Sequence, residues 1–290
     1  MLSSCPHYPA TSRADLEESE AMADYAQAWE KWFPLIERGA AELTACMLDS
    51  AGLEPGQRVL DIATGIGEPA LSAARRVGAA GRVTGVDLSP AMLEFAAQRA
   101  AGAGLENIDF RLMDANALDL DTASFDAALC RWGLMFVDDL QRTLRAIHGA
   151  LKPGARLAIG VWAAADEVPA LSTAARVLHR ELGLPPPPEG AGTAFALAAA
   201  APLLAALQAA GFEQITRKPV NVHYDYASAQ EYLAHRREVS NLLRESLASI
   251  DEPELERAVG VLERELEACR RDDGSLGFDN RAYCVAATRA

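Results

Sequence analysis

From residue 58 to residue 162 the chain alternates short apolar runs with longer amphipathic stretches, and this alternation predicts most of its elements. The runs Arg58–Ile62, Arg82–Val86, Ile108–Leu112, Phe125–Cys130 and Arg156–Trp162 read as five strands, each 5 to 7 residues long. Between them lie helical stretches at about Pro69–Val77, from Ser89-Pro90 onward, and near Asp138–Ala150. Ser89 suits an N-cap and Pro90 the first helical position, where the missing N–H costs no bond. Lys152-Pro153-Gly154 is expected to turn the chain into the fifth strand. Strands separated by helices predict a parallel sheet with right-handed crossovers.

Outside this region the pattern changes. Ala14–Ala51 has a helical period, with Tyr25, Trp29, Trp32, Phe33 and Ile36 on related turns. After Trp162 a helix reaches Leu182, and Pro185–Pro188 follows as a stiff extended segment. A helix over about Pro202–Ala210 stops at Gly211, a C′ glycine. A strand is expected at Phe212–Arg217, with continuation through Val220–Tyr224. Two charged helical segments over Ser228–Arg271 and a last strand at Arg281–Thr288 complete the reading. The glutamate runs at 252–256 and 263–267 are read as solvated helix faces rather than metal ligands.

Charge narrows the partners. The chain carries 27 basic against 41 acidic side chains, a net charge of −14, and no basic cluster. Neutralising phosphates requires a density of Lys and Arg, so a nucleic-acid partner is not expected. No run of 18 apolar residues occurs; the Ala-rich stretch 194–210 is interrupted by Pro202 and Gln208, so no membrane span is expected. The first 20 residues lack the apolar stretch of a signal peptide. The five cysteines (Cys5, Cys46, Cys130, Cys269 and Cys284) form no C-x-x-C pair. They are expected to be buried thiols in a reducing cytoplasm, with no metal site.

The candidate chemistry centres on Asp61-Ile62-Ala63-Thr64-Gly65-Ile66-Gly67-Glu68-Pro69-Ala70. Small residues at a strand-to-helix junction allow a tight turn and close backbone approach to a ligand, and the free N–H groups of the helix start face that ligand. Gly65-x-Gly67-x-x-Ala70 by itself fits the generic dinucleotide pattern. Asp87 ends the second strand 20 residues beyond Gly67, where an acid accepts both hydroxyls of a ribose. A nicotinamide and another nucleoside-type cofactor both predict this acid.

Asp61, Asp114-Ala115 after the third strand, the Lys152-Pro153-Gly154 turn and Gly211-Phe212-Glu213 before the sixth strand separate the two. Together they resemble the class I S-adenosylmethionine-dependent methyltransferases, in particular the small-molecule branch similar to the ubiquinone/menaquinone-biosynthesis enzymes. Ala63 stands where glycine is commoner in that family. The resemblance implies an α/β, Rossmann-like, seven-stranded and mostly parallel sheet, its last strand antiparallel, with helical N-terminal and lid insertions. It divides the chain into an N-terminal cover (1–52), a cofactor-binding core (53–162, 201–224 and 280–290) and lid insertions (163–200 and 225–279). S-adenosyl-L-methionine is the implied cofactor. By position, Ala63, Gly65 and Gly67 would line its methionine portion, and Asp61 would organise its ammonium group. Asp87 would bind the ribose, Leu88 and Met92 would pack near the adenine, and Asp114 and Ala115 would hydrogen-bond it. The other reading of Asp87 and Asp114 is loop capping.

Arg131 lies just past the fourth strand, where cofactor and substrate would meet; an ion pair is its alternative role. Trp132, Met135 and Phe136 would give an apolar wall for a planar or lipophilic acceptor, and the Asn/Asp-Pro-Pro-Tyr signature of amino-group methylation is lacking. Tyr25 and Trp29 are either core or a cover over the methionine end, where aromatic faces suit a sulfonium. His148, ending a sheet-covering helix, is expected to interact with its last carbonyls. His179, His223 and His235 are equal candidates for a base, and none is singled out. The expected reaction is methyl transfer to a small molecule, leaning to oxygen. A non-methylating reaction such as cyclisation on the same fold, and a nicotinamide-dependent oxidoreductase, stand as rivals.

Overall fold

The computed structural model describes residues 13–290 except 189 and 191; Cys5 and His7 lie outside the described residues. The first helix, α1 (Arg13–Ala51), is followed by β1 (Arg58–Ile62), α2 (Ala70–Val77), β2 (Arg82–Asp87), α3 (Pro90–Gly102), β3 (Ile108–Leu112) and β4 (Phe125–Arg131). Then come α4 (Leu140–Ala150), β5 (Leu151–Trp162), α5 (Pro169–Glu181), α6 (Ala200–Ala209) and β6 (Phe212–Tyr226). Helices α7 (Ala229–Val239), α8 (Asn241–Leu247) and α9 (Glu252–Leu266) precede the last strand, β7 (Leu276–Arg289).

One seven-stranded sheet has the order β3-β2-β1-β4-β5-β7-β6. The pairings from β3 through β5 are parallel, and β7 runs antiparallel to both β5 and β6. This is the Rossmann-like arrangement implied by the resemblance. Strands β1 and β4, side by side at the centre, are buried along nearly their whole length, as a sheet covered on both faces requires. The strand order reverses between β1 and β4, and the crevice at the carboxyl ends of these strands is where open α/β sheets bind ligands.

Helix α1 crosses β5, β6 and β7 with Ile36, Leu43 and Met47 buried against the sheet. Its close approach depends on glycine: a Cβ on Gly39 would lie 2.5 Å from the His223 carbonyl oxygen, and one on Gly160 would lie 2.9 Å from Met47 Sδ. Ser89 caps α3 as expected, its Oγ accepting the Met92 N–H at 3.3 Å.

Several expectations need correction. The segment 228–271 forms three α-helices, because Ser240 and Asp251 each accept an N–H three residues on and start a new helix. Lys152-Pro153-Gly154 is a bulge inside β5 rather than a turn before it: pairing jumps from Phe125–Leu151 to Ala127–Arg156, with Gly154 at φ 79°. Strand β6 runs unbroken through Pro219 to Tyr226; it is the edge of the sheet, where a residue without N–H is tolerated. Its partner β7 therefore begins at Leu276, not near residue 280. The His148 ring packs edge-on to Phe212 at 5.1 Å, and burial and the nearby Arg289 lower its pKa. It is a neutral packing residue, not a cation on the helix end.

Candidate functional site

The glycine segment leaves β1 through left-handed backbone. Ala63 has φ 54°, Gly65 54° and Gly67 114°. Two different constraints act here. A Cβ on Gly67 would lie 3.0 Å from Leu71 Cδ1, so this glycine lets the loop pack on α2, whereas a Cβ on Gly65 would meet nothing within 4 Å and would project into open space. At Ala63 an L-residue holds the left-handed conformation at a cost of roughly 1–2 kcal/mol. Its methyl explains Gly133, which the sequence reading passed over: a Cβ there would stand 2.4 Å from that of Ala63. The small residue missing from the first loop is supplied by the loop after β4.

Asp61 is fully buried. Its Oδ2 accepts the Ala70 N–H at the start of α2 (3.1 Å), and its Oδ1 has no hydrogen-bond partner among the described residues. Burial, with a smaller push from Glu68, raises its pKa to about 7 against the pull of Thr64, Arg131 and the Ala70 amide. Asp87 Oδ2 accepts the Gly65 N–H at 2.8 Å and Oδ1 the Ser89 N–H at 3.0 Å, so the acid ends β2 and holds the glycine loop at once. Burial raises its pKa too. Beside it, the Leu88 side chain is 59% exposed, an apolar group uncovered at the sheet's carboxyl end. Asp114 caps the short turn Ala115–Ala117: its Oδ1 accepts from Asn116 N (2.8 Å) and Nδ2 (3.1 Å). Asn116 in turn accepts the Asp138 N–H at 2.7 Å, tying this turn to the loop after β4.

The aromatic stripe of α1 divides. Tyr25 and Trp29, edge-to-face at 6.1 Å, pack with Ile66 of the glycine loop and Met92 of α3, so the start of α1 lies over the loop. Trp32 is buried and turns to α7, its Nε1–H donating to Glu238 at 2.7 Å and its ring 5.0 Å from His235. Arg131 is also buried. Its guanidinium donates to both Glu37 carboxylate oxygens, to Thr44 Oγ1 at 2.8 Å and to the Glu68 carbonyl at 3.5 Å. It is thus committed to an ion pair with α1 and to the glycine loop. Glu37 and Thr44 are polar positions inside a helical stretch, and no local pattern singled them out.

Of the expected apolar wall, Met135 is in the core, Phe136 is 54% exposed, and half-buried Trp132 stacks on Trp162 at 4.4 Å. The candidate bases have other occupations. His179 bonds the Pro185 carbonyl (2.6 Å) and Ser246 (3.1 Å), and His223 lies between Asp279 (2.6 Å) and Asp225 (3.0 Å). His235 bonds the Tyr226 hydroxyl at 2.8 Å, and burial, aided by Arg236, drives its pKa down to about 2. Cys130 is fully buried and its thiol is pushed up to about 12, so it is inert. Among the described residues no His/Cys/Asp/Glu group has metal-binding geometry, and no helix is long and apolar enough to cross a membrane.

A glycine loop under a helix start, acids ending β1 and β2, and a reversal of strand order between β1 and β4 define a nucleoside-cofactor domain. Residues 59–154 match the methyltransferase-domain family. The chain is 45% identical over 111 residues to a 2-phytyl-1,4-naphtoquinone methyltransferase of Nostoc sp., a match covering 37% of this chain and 48% of that protein. It is 34% identical over 113 residues to the ubiquinone/menaquinone biosynthesis C-methyltransferase UbiE of Enterobacter sp., covering 39% and 45%. These matches span about half the length of the curated relatives. The fold is similar to that of the YcgJ protein of Bacillus subtilis, with TM-score 0.56 and 18% identity over 85% of this chain and 97% of that one. Residues 59–154 are a methyltransferase domain of the class I, S-adenosylmethionine-dependent type.

Proposed function

We propose that this chain transfers the methyl group of S-adenosylmethionine to a small, planar, quinone-type acceptor. The observation that carries this reading is the Oδ1 of fully buried Asp61, without a partner among the described residues, in β1 at the entry to the glycine loop. An orphaned carboxylate oxygen in such a place fits an ammonium group, which the cofactor's methionine end bears. Asp87 would hold the ribose hydroxyls while keeping its two backbone amides, and the exposed Leu88 would cover the adenine. Asp114 keeps lone pairs beyond those used by Asn116, and the Ala115 N–H would meet the adenine ring. Tyr25 and Trp29 would close the loop from above.

The cofactor supplies an already activated sulfonium methyl. The protein's part is then to align the acceptor in line and keep water out, and orientation alone is worth about 7–11 kcal/mol of a barrier. The sequence leans to oxygen as acceptor atom; the relative named as a C-methyltransferase favours carbon. The free cysteines fit a reducing compartment such as the cytoplasm. Calorimetric titration with S-adenosylmethionine and S-adenosylhomocysteine tests the reading; binding of neither would overturn it. Binding of reduced nicotinamide cofactor instead would favour the oxidoreductase.

Asp61 gives this site a pH dependence. An ammonium ligand binds the ionised carboxylate, so with a free-protein pKa of about 7 binding must expel a proton at lower pH. S-adenosylhomocysteine affinity is expected to rise roughly thirtyfold from pH 5.5 to 8, from 1.36 kcal/mol per pKa unit, and to flatten in Asp61→Asn. The sign for stability is opposite. The folded protein holds this proton more tightly than the unfolded chain, whose value is near 3.8, so Asp61 makes the unliganded protein less stable as pH rises from about 4 to 7.

A further inference from the structure

Two arginines are buried among the described residues, Arg131 and Arg236. Arg131 has Glu37. Arg236, on α7, has no carboxylate within ion-pair distance among the described residues, and its Nε is buried without an acceptor. The acids of its own helix are engaged elsewhere: Glu238 holds Lys31 and the Trp32 indole, and Glu231 accepts the Ala227 N–H. A guanidinium taken from water without a counter-charge is costly, and a bound anion is what recovers that cost.

The surroundings of Arg236 are aromatic. The ring of its chain neighbour His235 lies 6.3 Å from that of Tyr224, which meets Trp162 edge-on and, through it, the stacked Trp132, an aromatic floor Trp132–Trp162–Tyr224. The positive charge of Arg236 acts on the hydroxyls of Tyr25, Tyr224, Tyr226 and Tyr232. The Nε1–H of Trp132, in this floor, is a further donor, buried and without an acceptor among the described residues. Donors in excess, a lone cation and flat aromatic faces describe the complement of a planar ring bearing an anionic oxygen.

We propose that Arg236 is a substrate-binding residue, and that the acceptor is a planar aromatic carrying a carboxylate which this guanidinium receives. This rests on the methyltransferase reading and narrows its planar acceptor to one that bears an anionic group. Arginine suits the role because its rigid fork matches a carboxylate with two parallel bonds.

The test uses the full chain saturated with S-adenosylhomocysteine and two probes, 1-hydroxy-2-naphthoate and 1-naphthol, which share a ring and differ in the carboxylate. Calorimetry should give at least tenfold tighter binding of the naphthoate to the unaltered protein. Arg236→Met should lose about thirtyfold for the naphthoate and less than threefold for the naphthol, and Arg236→Lys should recover part of the loss. S-adenosylhomocysteine affinity should be the same in all three proteins. Equal binding of the two probes to the unaltered protein overturns the proposal, whether or not the methionine variant folds, and so does a preference that survives in a folded Arg236→Met. Failure of S-adenosylhomocysteine to bind at all would instead overturn the cofactor reading.

Discussion

Replacing Glu37 by alanine is expected to destabilise the protein by about 3–5 kcal/mol, because the buried Arg131 guanidinium is left with its charge uncompensated. For a chain of this size that corresponds to a fall in Tm of roughly 6–15 °C, measurable by calorimetry or circular dichroism. The Arg131 side chain is 4% exposed and that of Glu37 19%, so water does little to replace the lost partner. The paired change Glu37→Leu with Arg131→Met should recover most of the stability, since removing both charges also removes their desolvation cost. A loss below about 1 kcal/mol in Glu37→Ala would show that Thr44 and the Glu68 carbonyl suffice for Arg131, within the range of ordinary hydrogen bonds. The pair has a second consequence. Arg131 is one of the groups drawing the Asp61 pKa down, so Arg131→Met should move the pH dependence of cofactor binding to higher pH.

The largest effect on ligand binding is expected at Asp87. Sequence position gives it a ribose to hold; the structure adds the Gly65 and Ser89 amides, which the same carboxylate holds at 2.8 and 3.0 Å. Asp87→Ala therefore removes the ribose acceptor and also loosens the loop that lies under the methionine end. Loss of about 3 kcal/mol, roughly a hundredfold in S-adenosylhomocysteine affinity, is the expected result. Asp87→Asn retains one acceptor oxygen and should lose about tenfold. Unchanged affinity in Asp87→Ala would remove this residue from the site, and a parallel thermal melt separates binding from folding.

The legible parts of this protein are those written in consecutive residues. Strand β1, its glycine loop and the Ser89 cap follow from apolar period, small residues and capping chemistry, all set by neighbours along the chain. The seven-stranded arrangement came from the resemblance that these motifs carry together, and the observed strand order agrees with it. The misread parts depend on distant partners. The last strand reads as starting at Arg281 until its antiparallel pairing with the edge strand β6 extends it back to Leu276, and Lys152-Pro153-Gly154 reads as a turn until the pairing of β4 with β5 absorbs it. The aromatic stripe on α1 divides in a way its period does not show: Tyr25 and Trp29 pack on the glycine loop, whereas Trp32 joins α7.

By itself the sequence determined the first strand, its glycine loop and the acids near the ends of β1 and β2, because these are local devices set by spacing along the chain. Tertiary structure decided the rest. It gave Arg131 to Glu37, 94 positions away, and among the described residues it left Oδ1 of Asp61 without a partner and buried Arg236 without a carboxylate. Whether a charge is buried, and what meets it there, is set by packing between elements, and burial is what makes an aspartate or arginine without a partner costly.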